Sequence, residues 1–387
     1  MSWESDERYL RAALALARRG YGATSPNPMV GAILVKHGEV IGRGWHHRAG
    51  EPHAEIEALH DAVARGQNPR GATLFVTLEP CSTHGRTPPC TEAIIDAEIK
   101  RVVAGATDPN PRHSGKGFDL VARAGISVTQ GILKQECERL NETFNHWIVH
   151  ATPFVTLKSA MTLDGKIATA SGESKWITSA RSRAHSMHLR IGADAILVGV
   201  NTVLTDDPSL TVRSPGRLAA RKLQKPLRRI VLDPMGRTPL SAKVLSDELA
   251  NLTTIVVSER AKEKSLQSLA ARARVLVARG GLNSRRSTRA DPSSLRQPFN
   301  LVWLLKHLGA ENVAHLLVEG GGEVNASFLM QKLVNRVVFF YAPKILGGRA
   351  SRPAVGGPGA SRLAEALDLR EVQWGRIGPD LVLTALL

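Results

Sequence analysis

The sequence predicts an α/β protein built as two successive domains, residues 1–150 and 151–387, and three observations carry that prediction. The length, 387 residues, exceeds what one ordinary domain needs. In the first 150 residues, segments of helical spacing alternate with short β-branched runs, in the order helix, two strands, helix, strand, helix, strand, helix. That alternation argues a three-layer α/β/α sandwich with a mixed sheet. Near Pro153 a second alternation of buried-type strands and helices begins, so a second α/β unit follows.

Residues 5–19 predict an amphipathic helix, with Tyr9, Leu10, Ala13, Leu14 and Ala17 on one face and the arginines off it. Two strands, 29–36 and 39–45, flank His37-Gly38 and read as a hairpin. Glu51-Pro52 marks the entrance of a helix over 53–65. Strands are expected at 72–78, 101–106 and 127–129, and helices from Thr91, over 118–124 and over 133–149. In the second unit the expected strands are 154–161, 195–200, 229–232, 252–258, 274–278, 315–318, 337–341 and 380–386. Helices are expected over 179–191 and 324–331. The polar, basic, Gly/Ser/Pro-rich stretch 279–298 reads as a loop.

Composition narrows the function classes. No run of 18 apolar residues exists, so no membrane helix is expected. The N-terminus lacks a basic-then-apolar leader, and three cysteines cannot build a disulfide framework, so a reducing, cytoplasmic setting is expected. The formal net charge of +16 suggests nucleic acid only until it is mapped. The first 150 residues carry 17 Lys and Arg against 17 Asp and Glu; the remainder carries 34 against 18. The surplus is thus remote from the chemistry of the first half. With aromatics at only 4% for base stacking, a nucleic-acid partner is not expected.

That chemistry lies between residues 53 and 90. His53, Cys81 and Cys90 are ligands of the kinds zinc takes, and three protein ligands leave a fourth tetrahedral position for water. Glu55, two residues after His53, can move a proton between that water and a leaving group. His, Cys and Cys with a non-ligand Glu are the parts of a zinc deaminase. The eight residues between the cysteines separate this stretch from the tighter P-C-x-x-C of nucleic-acid and cytidine deaminases. A closed structural zinc with His84 as fourth ligand would leave Glu55 without a task. In the second half, Val318-Glu319-Gly320-Gly321-Gly322 joins a strand to a helix, where backbone amides can approach phosphate. By spacing alone a nucleotide site and a tight turn are equally good readings, and G-x-G-x-x-G is absent. Asp164-Gly165-Lys166 and Thr205-Asp206-Asp207-Pro208 read as turns.

Motifs run almost end to end: Asn27, HHRAGEPHAE, CSTHGRTPPC, LKSAMTLDGKIATASGESKWIT, VNTVLTDDPSLTVR, LVEGGGEVNASFL and YAPKILGG. Together, from about residue 5 to 385, they resemble the bifunctional deaminase-reductases of bacterial riboflavin synthesis. The resemblance implies a cytidine-deaminase-like N-terminal domain. There Zn²⁺ on His53, Cys81 and Cys90, with Glu55 as proton carrier, would deaminate a phosphoribosylaminopyrimidine. Asn27, His46 and Arg86 would hold that substrate. It further implies a dihydrofolate-reductase-like C-terminal domain that reduces the ribosyl group to ribityl with NADPH. By motif match, NADPH would meet Ala160, Trp176, Thr202, Asp206 and the run Gly321, Gly322, Glu323, Val324, Asn325, Ala326, Ser327. Substrate would meet Ser174, Arg190, Leu210, Arg213 and Glu319, with Lys158 a further polar group on the first strand. Arg190 and Arg213 suit the ribose phosphate, because guanidinium binds phosphate bidentately. A homo-oligomer, dimer or tetramer, suits the family. In one departure Thr83 stands where the family commonly has His, and His84 follows it.

Overall fold

The computed structural model describes residues 3–84, 88–213, 225–278 and 299–387. Arg86 and the basic stretch 279–298 lie outside the described residues. The chain divides into two compact units, Met1–Ala151 and Thr152–Leu387.

The first unit runs α1 (Trp3–Ala17), β1 (Gly31–Lys36), β2 (Glu39–Trp45), α2 (Ala54–Ala64), β3 (Thr73–Leu78) and α3 (Cys90–Asp96). It continues with β4 (Arg101–Ala106), α4 (Lys116–Arg123), β5 (Ser127–Gln130), α5 (Lys134–Leu140) and α6 (Glu142–His150). The sheet order is β2-β1-β3-β4-β5. Strand β1 is antiparallel to β2 and β3, whereas β3, β4 and β5 run parallel, so the sheet is mixed as expected. At the β1–β2 turn, His37 (φ 50°) and Gly38 (φ 82°) both adopt positive φ, the backbone of a tight two-residue hairpin. The Tyr9 hydroxyl of α1 donates to the Gly38 carbonyl at 2.7 Å and pins this turn to the helix.

Register assigns the layers. A Cβ on Gly31 would lie 2.0 Å from the Ala13 carbonyl of α1. A Cβ on Gly44 would lie 2.2 Å from the Ala54 carbonyl of α2, and one on Gly42 2.3 Å from the Ala58 carbonyl. Ala32 pairs with Gly44 and Leu34 with Gly42, so these residues share the α2 face. Gly31 and Ile33 point to the opposite face, against α1. Phe75 pairs with Ile33, shares that face, and packs its ring 5.0 Å from Tyr9. Helices therefore cover both sides, which makes the three-layer sandwich. Leu10, Ile33, Leu34, Leu74, Phe75 and Ile94 form its fully buried heart.

One element differs from expectation. The helix expected over 133–149 is two helices, α5 and α6, broken at Asn141. The Asn141 side chain accepts from Met29 N at 2.7 Å and donates to Met29 O at 2.9 Å. It pairs with that backbone as a strand neighbour would, and this local bond competes with a continuous helix.

The second unit contains β6 (Phe154–Thr162), β7 (Lys166–Ala168), α7 (Ala180–Gly192), β8 (Ala195–Gly199), α8 (Val200–Asp206), β9 (Arg228–Leu232), α9 (Lys243–Ser246), β10 (Thr253–Ser258) and α10 (Glu263–Ala270). It ends with β11 (Arg274–Ala278), α11 (Leu301–Ala310), β12 (His315–Val318), α12 (Gly322–Met330), β13 (Arg336–Ala342), β14 (Arg352–Pro353), β15 (Arg370–Ile377) and β16 (Asp380–Leu386). Nine strands form one sheet in the order β11-β10-β9-β8-β12-β6-β13-β16-β15. The strands from β11 to β13 are parallel, and β16 and β15 close the sheet antiparallel. Buried apolar runs such as Ala195–Gly199 suit central parallel strands covered on both faces. Strand β15 and helices α10 and α11 were not foreseen; β15 has no buried face to give it an alternating pattern.

Among the described residues no helix is long and apolar enough to cross a membrane. The close seat of α2 yields a test. Gly44→Ala should destabilise the first unit by about 1–3 kcal/mol through overpacking against backbone. Urea unfolding followed by circular dichroism checks this, and an unchanged midpoint would mean that α2 yields without cost.

Candidate active sites

In the first unit each donor stands at the end of an element. His53 is the extended residue that opens α2 (φ −76°, ψ 164°). Cys81 follows β3 by Glu79-Pro80, and Cys90 opens α3 behind Pro89. His53 Nδ1 lies 3.3 Å from Cys90 Sγ and 3.4 Å from Cys81 Sγ. The three donor atoms lie within 4.8 Å of one another, and among the described residues this is the one such gathering of His, Cys, Asp or Glu. Tetrahedral zinc with ordinary Zn–N and Zn–S bonds sets its donors about 3.6 Å apart, so the set fits the ion. The Cys90 thiol and amide both hydrogen-bond Cys81 and hold its thiol down to about 4, in the thiolate form a metal takes. In the same shared bond Cys90 is pushed up.

Glu55 stands in the first turn of α2, 3% exposed. Burial pushes its carboxyl up to about 7, with His53 and a hydrogen bond to Cys90 pulling the other way. A carboxyl titrating near neutrality can both take and give a proton. Beside it, His46 is buried with its ring edge-on to His53, centroids 5.2 Å apart. Burial lowers the His46 pKa, with the bond to the Pro52 carbonyl pulling the other way. Its Nδ1 lies 3.0 Å from the Pro52 carbonyl and must carry the proton, which leaves Nε2 to accept from Asn27 Nδ2 at 3.2 Å. The structure thus brings together Asn27, His46, His53, Glu55, Cys81 and Cys90. His84 is exposed and lies 3.6 Å from Glu92. Thr83 instead meets His113, 3.5 Å from Oγ1 to Nδ1. Sequence reading passed over two residues here, His113 and the buried Glu79.

In the second unit the residues collect at the carboxyl ends of the parallel strands, where open α/β sheets bind ligands. Glu319 ends β12. Arg190 from α7 donates to it twice, Nε to Oε1 and Nη2 to Oε2, both at 2.9 Å. Lys158 Nζ of β6 lies 4.0 Å from Glu319 Oε2. Burial alone would raise Glu319, but Arg190 and Lys158 outweigh it and hold the carboxyl at about 2. Burial lowers Lys158. Arg190 gives a third hydrogen bond, Nη1 to the Thr211 carbonyl at 2.8 Å, so two of its five N–H donors stay available. Buried Asp380 sets the helix that carries Arg190: its Oδ2 accepts from Ser179 N and from the Ser182 hydroxyl at the start of α7.

The glycine run opens α12. Val324 packs over Gly199 and Gly320, where a Cβ would stand 2.8 and 2.6 Å from it. Asn325 donates to the Ala354 carbonyl, and its buried Oδ1 has no donor. An unmet acceptor beside free first-turn amides suits a nucleotide's hydroxyl or carboxamide donors. Of the expected run, Gly321 to Val324 supply those amides. Ala326 is buried, and the Ser327 hydroxyl is spent on the Glu323 carbonyl. Ser174 donates to Asp206 at 3.1 Å, linking two expected site residues at the end of α8, one turn after Thr202. Trp176 is exposed beneath the Arg183 guanidinium, 4.5 Å from its ring centre. Ala160 lies on β6 opposite Phe340. Leu210 is buried with φ 52°, and Arg213 is exposed.

Similarity to known proteins follows the same division. Residues 3–106 match the family described as cytidine and deoxycytidylate deaminase zinc-binding region, and residues 153–383 match the RibD C-terminal domain. The riboflavin biosynthesis protein RibD of Aquifex aeolicus is 45% identical over 380 residues, covering 98% of each chain. That of Escherichia coli is 38% identical over 386 residues, again 98% of each. Acinetobacter baumannii RibD superposes with TM-score 0.84 at 33% identity, covering 100% of this chain and 99% of that one. A Thermotoga maritima structure titled diaminohydroxyphosphoribosylaminopyrimidine deaminase/5-amino-6-(5-phosphoribosylamino)uracil reductase gives 0.82 at 34% identity and 99% coverage of both. With a zinc-deaminase unit and a reductase unit in one chain, aligned over nearly its whole length, the protein belongs to the RibD family of bifunctional deaminase-reductases of riboflavin biosynthesis.

Proposed function

We propose that the first unit converts 2,5-diamino-6-(5-phosphoribosylamino)pyrimidin-4(3H)-one to 5-amino-6-(5-phosphoribosylamino)uracil, and that the second reduces the ribosyl group of that product to ribityl. The observation that carries the first step is the gathering of His53, Cys81 and Cys90 around one point, with Glu55 buried beside them. His53 Nδ1, Cys81 Sγ and Cys90 Sγ would hold zinc, which supplies Lewis acidity that makes water acidic enough to react near neutral pH. Glu55 accepts a proton from the attacking water and delivers it to the amino nitrogen, which leaves as ammonia. His46, with both ring nitrogens bonded, offers its ring to the substrate and fixes Asn27, whose amide keeps a donor and an acceptor for the pyrimidine or its ribose. Arg86 is the third substrate residue of this reading.

In the second unit NADPH would supply hydride, held by the first-turn amides of α12 and by Ala160, Trp176, Thr202 and Asp206. Hydride goes to the ribosyl carbon that bears the amine; the bond from that carbon to the ring oxygen breaks, and the oxygen takes a proton. Lys158, 4.0 Å from Glu319 and with its pKa lowered by burial, would lend that proton. Arg190 points its two remaining N–H donors at the ribose phosphate, with Arg213 as second cation. Ser174, Leu210 and Glu319 complete the substrate wall. The domain division follows the same reading, residues 1–150 for deamination and 151–387 for reduction. All three cysteines are free, which suits the cytoplasm. A homo-oligomer, dimer or tetramer, is supported by β15, exposed along its length at the end of the nine-stranded sheet and bearing exposed Val372 and Trp374.

Metal content and ammonia release test the first step together. Cys81→Ala and Cys90→Ala should each lose zinc, and full occupancy in both would remove them as ligands. Glu55→Gln should keep zinc and lose at least about 10²-fold in deamination rate; unchanged turnover would take Glu55 out of the reaction. In the reductase, Arg190→Ala should weaken the phosphorylated substrate more than NADPH, read as separate dissociation constants, and the opposite order would reassign Arg190 to the cofactor. Light scattering should return a mass of two or four chains, and a strictly monomeric mass would refute the assembly.

A further inference from the structure

Glu79 directly follows β3, two residues before Cys81, is 5% exposed, and takes no part in the chemistry described above. Its amide donates to the Ala106 carbonyl at 2.8 Å, so its backbone belongs to the sheet. Its carboxylate faces the segment between β4 and α4. Oε2 accepts from Asp108 N and from Gly115 N, each at 3.0 Å, and Oε1 accepts from Gly117 N at 2.8 Å. Three backbone N–H groups from one segment thus converge on a single buried side chain. The segment also bonds within itself. Asn110 N donates to the Asp108 carboxylate, Arg112 N to Asn110 Oδ1, and His113 N to the Asn110 carbonyl. Its closest seat is at Gly117, where a Cβ would lie 2.1 Å from the Pro80 carbonyl. At its far side the segment carries His113 to Thr83 and sets the Asp108 carboxyl within reach of the Cys81 charge.

We infer that Glu79 is a positioning residue of the deaminase: it clamps the 108–117 segment against the strand that delivers Cys81, and so fixes one wall of the pocket that receives the pyrimidine ribotide. The inference rests on the deaminase reading of the His53–Cys81–Cys90 cluster and assigns Glu79 no contact with substrate. Lost alignment of about 1 Å can cost on the order of 10²-fold in such sites. The clamp therefore governs substrate fit without touching the metal.

The test uses the full zinc-loaded chain. Glu79→Gln keeps the shape but turns one acceptor into a donor that faces a backbone N–H. The expected result is a rise of about tenfold or more in the deaminase KM, with zinc content and reductase kinetics of the same chain unchanged. Hydrogen exchange in a peptide spanning 107–117 should quicken at the same time. Gly117→Ala attacks the seat from the loop side with Glu79 intact and should reproduce both effects. Unchanged deaminase kinetics and unchanged exchange in Glu79→Gln would overturn the inference. Zinc loss in proportion to lost activity would also overturn it, since Glu79 would then serve the metal strand. Should the unmodified chain release no ammonia, the deaminase reading fails, and the inference falls with it even if exchange at 107–117 still depends on Glu79.

Discussion

The chemistry of the first unit depends on how closely a helix can lie on a sheet. Side chains at two consecutive same-face positions of β2 would collide with the backbone of α2, and both positions are glycine. With that approach granted, the first turn of α2 comes down at the height where β3 ends and α3 begins. The ends of three successive elements then share one small volume. A metal site of three soft donors needs this, because each ligand bond tolerates only a few tenths of an ångström. The same approach buries Glu55, and burial is what moves its carboxyl into the neutral range.

In the second unit the organising interaction is ionic. Glu319, just past β12, is flanked by Arg190 of α7 and Lys158 of β6. A buried pair of this kind adds little net stability, since desolvation offsets most of the attraction. What it supplies is geometry: the bidentate grip fixes the guanidinium plane, and the carboxylate in turn works against the lowering of Lys158 by burial. Removing one partner would leave charge stranded among apolar neighbours.

Much of this was legible in the sequence. His53, Glu55, Cys81 and Cys90 announce themselves because metal chemistry restricts residue type and spacing, and the layered first domain follows from alternating periods. Other features left no such trace. Asn141 breaks a helix because of a backbone 112 residues away. Asp380 caps α7 from almost 200 residues downstream, and no local pattern marks an aspartate for that task. Strand β15 is exposed on both faces, so the apolar alternation that reveals strands never forms. Glu79 sat in plain view before Pro80-Cys81, yet its importance lies in three amides that belong to a distant loop. Reading succeeded where chemistry constrains the residue itself and stopped where it constrains only the neighbour.

The long reach of Asp380 bears on how the protein is made. On the ribosome, domains fold as they emerge, the N-terminal one first. Every residue gathered around the metal position lies between Asn27 and Cys90, and the first sheet is complete by Gln130. That unit can mature while the rest of the chain is still being synthesised. The reductase cannot. The helix bearing Arg190 waits for Glu319 to give its guanidinium a partner, and for Asp380, at the start of β16, to cap its start. A chain cut short before the β15–β16 hairpin would lack Asp380, and Ser179 N and the Ser182 hydroxyl at the start of α7 would lose their common acceptor.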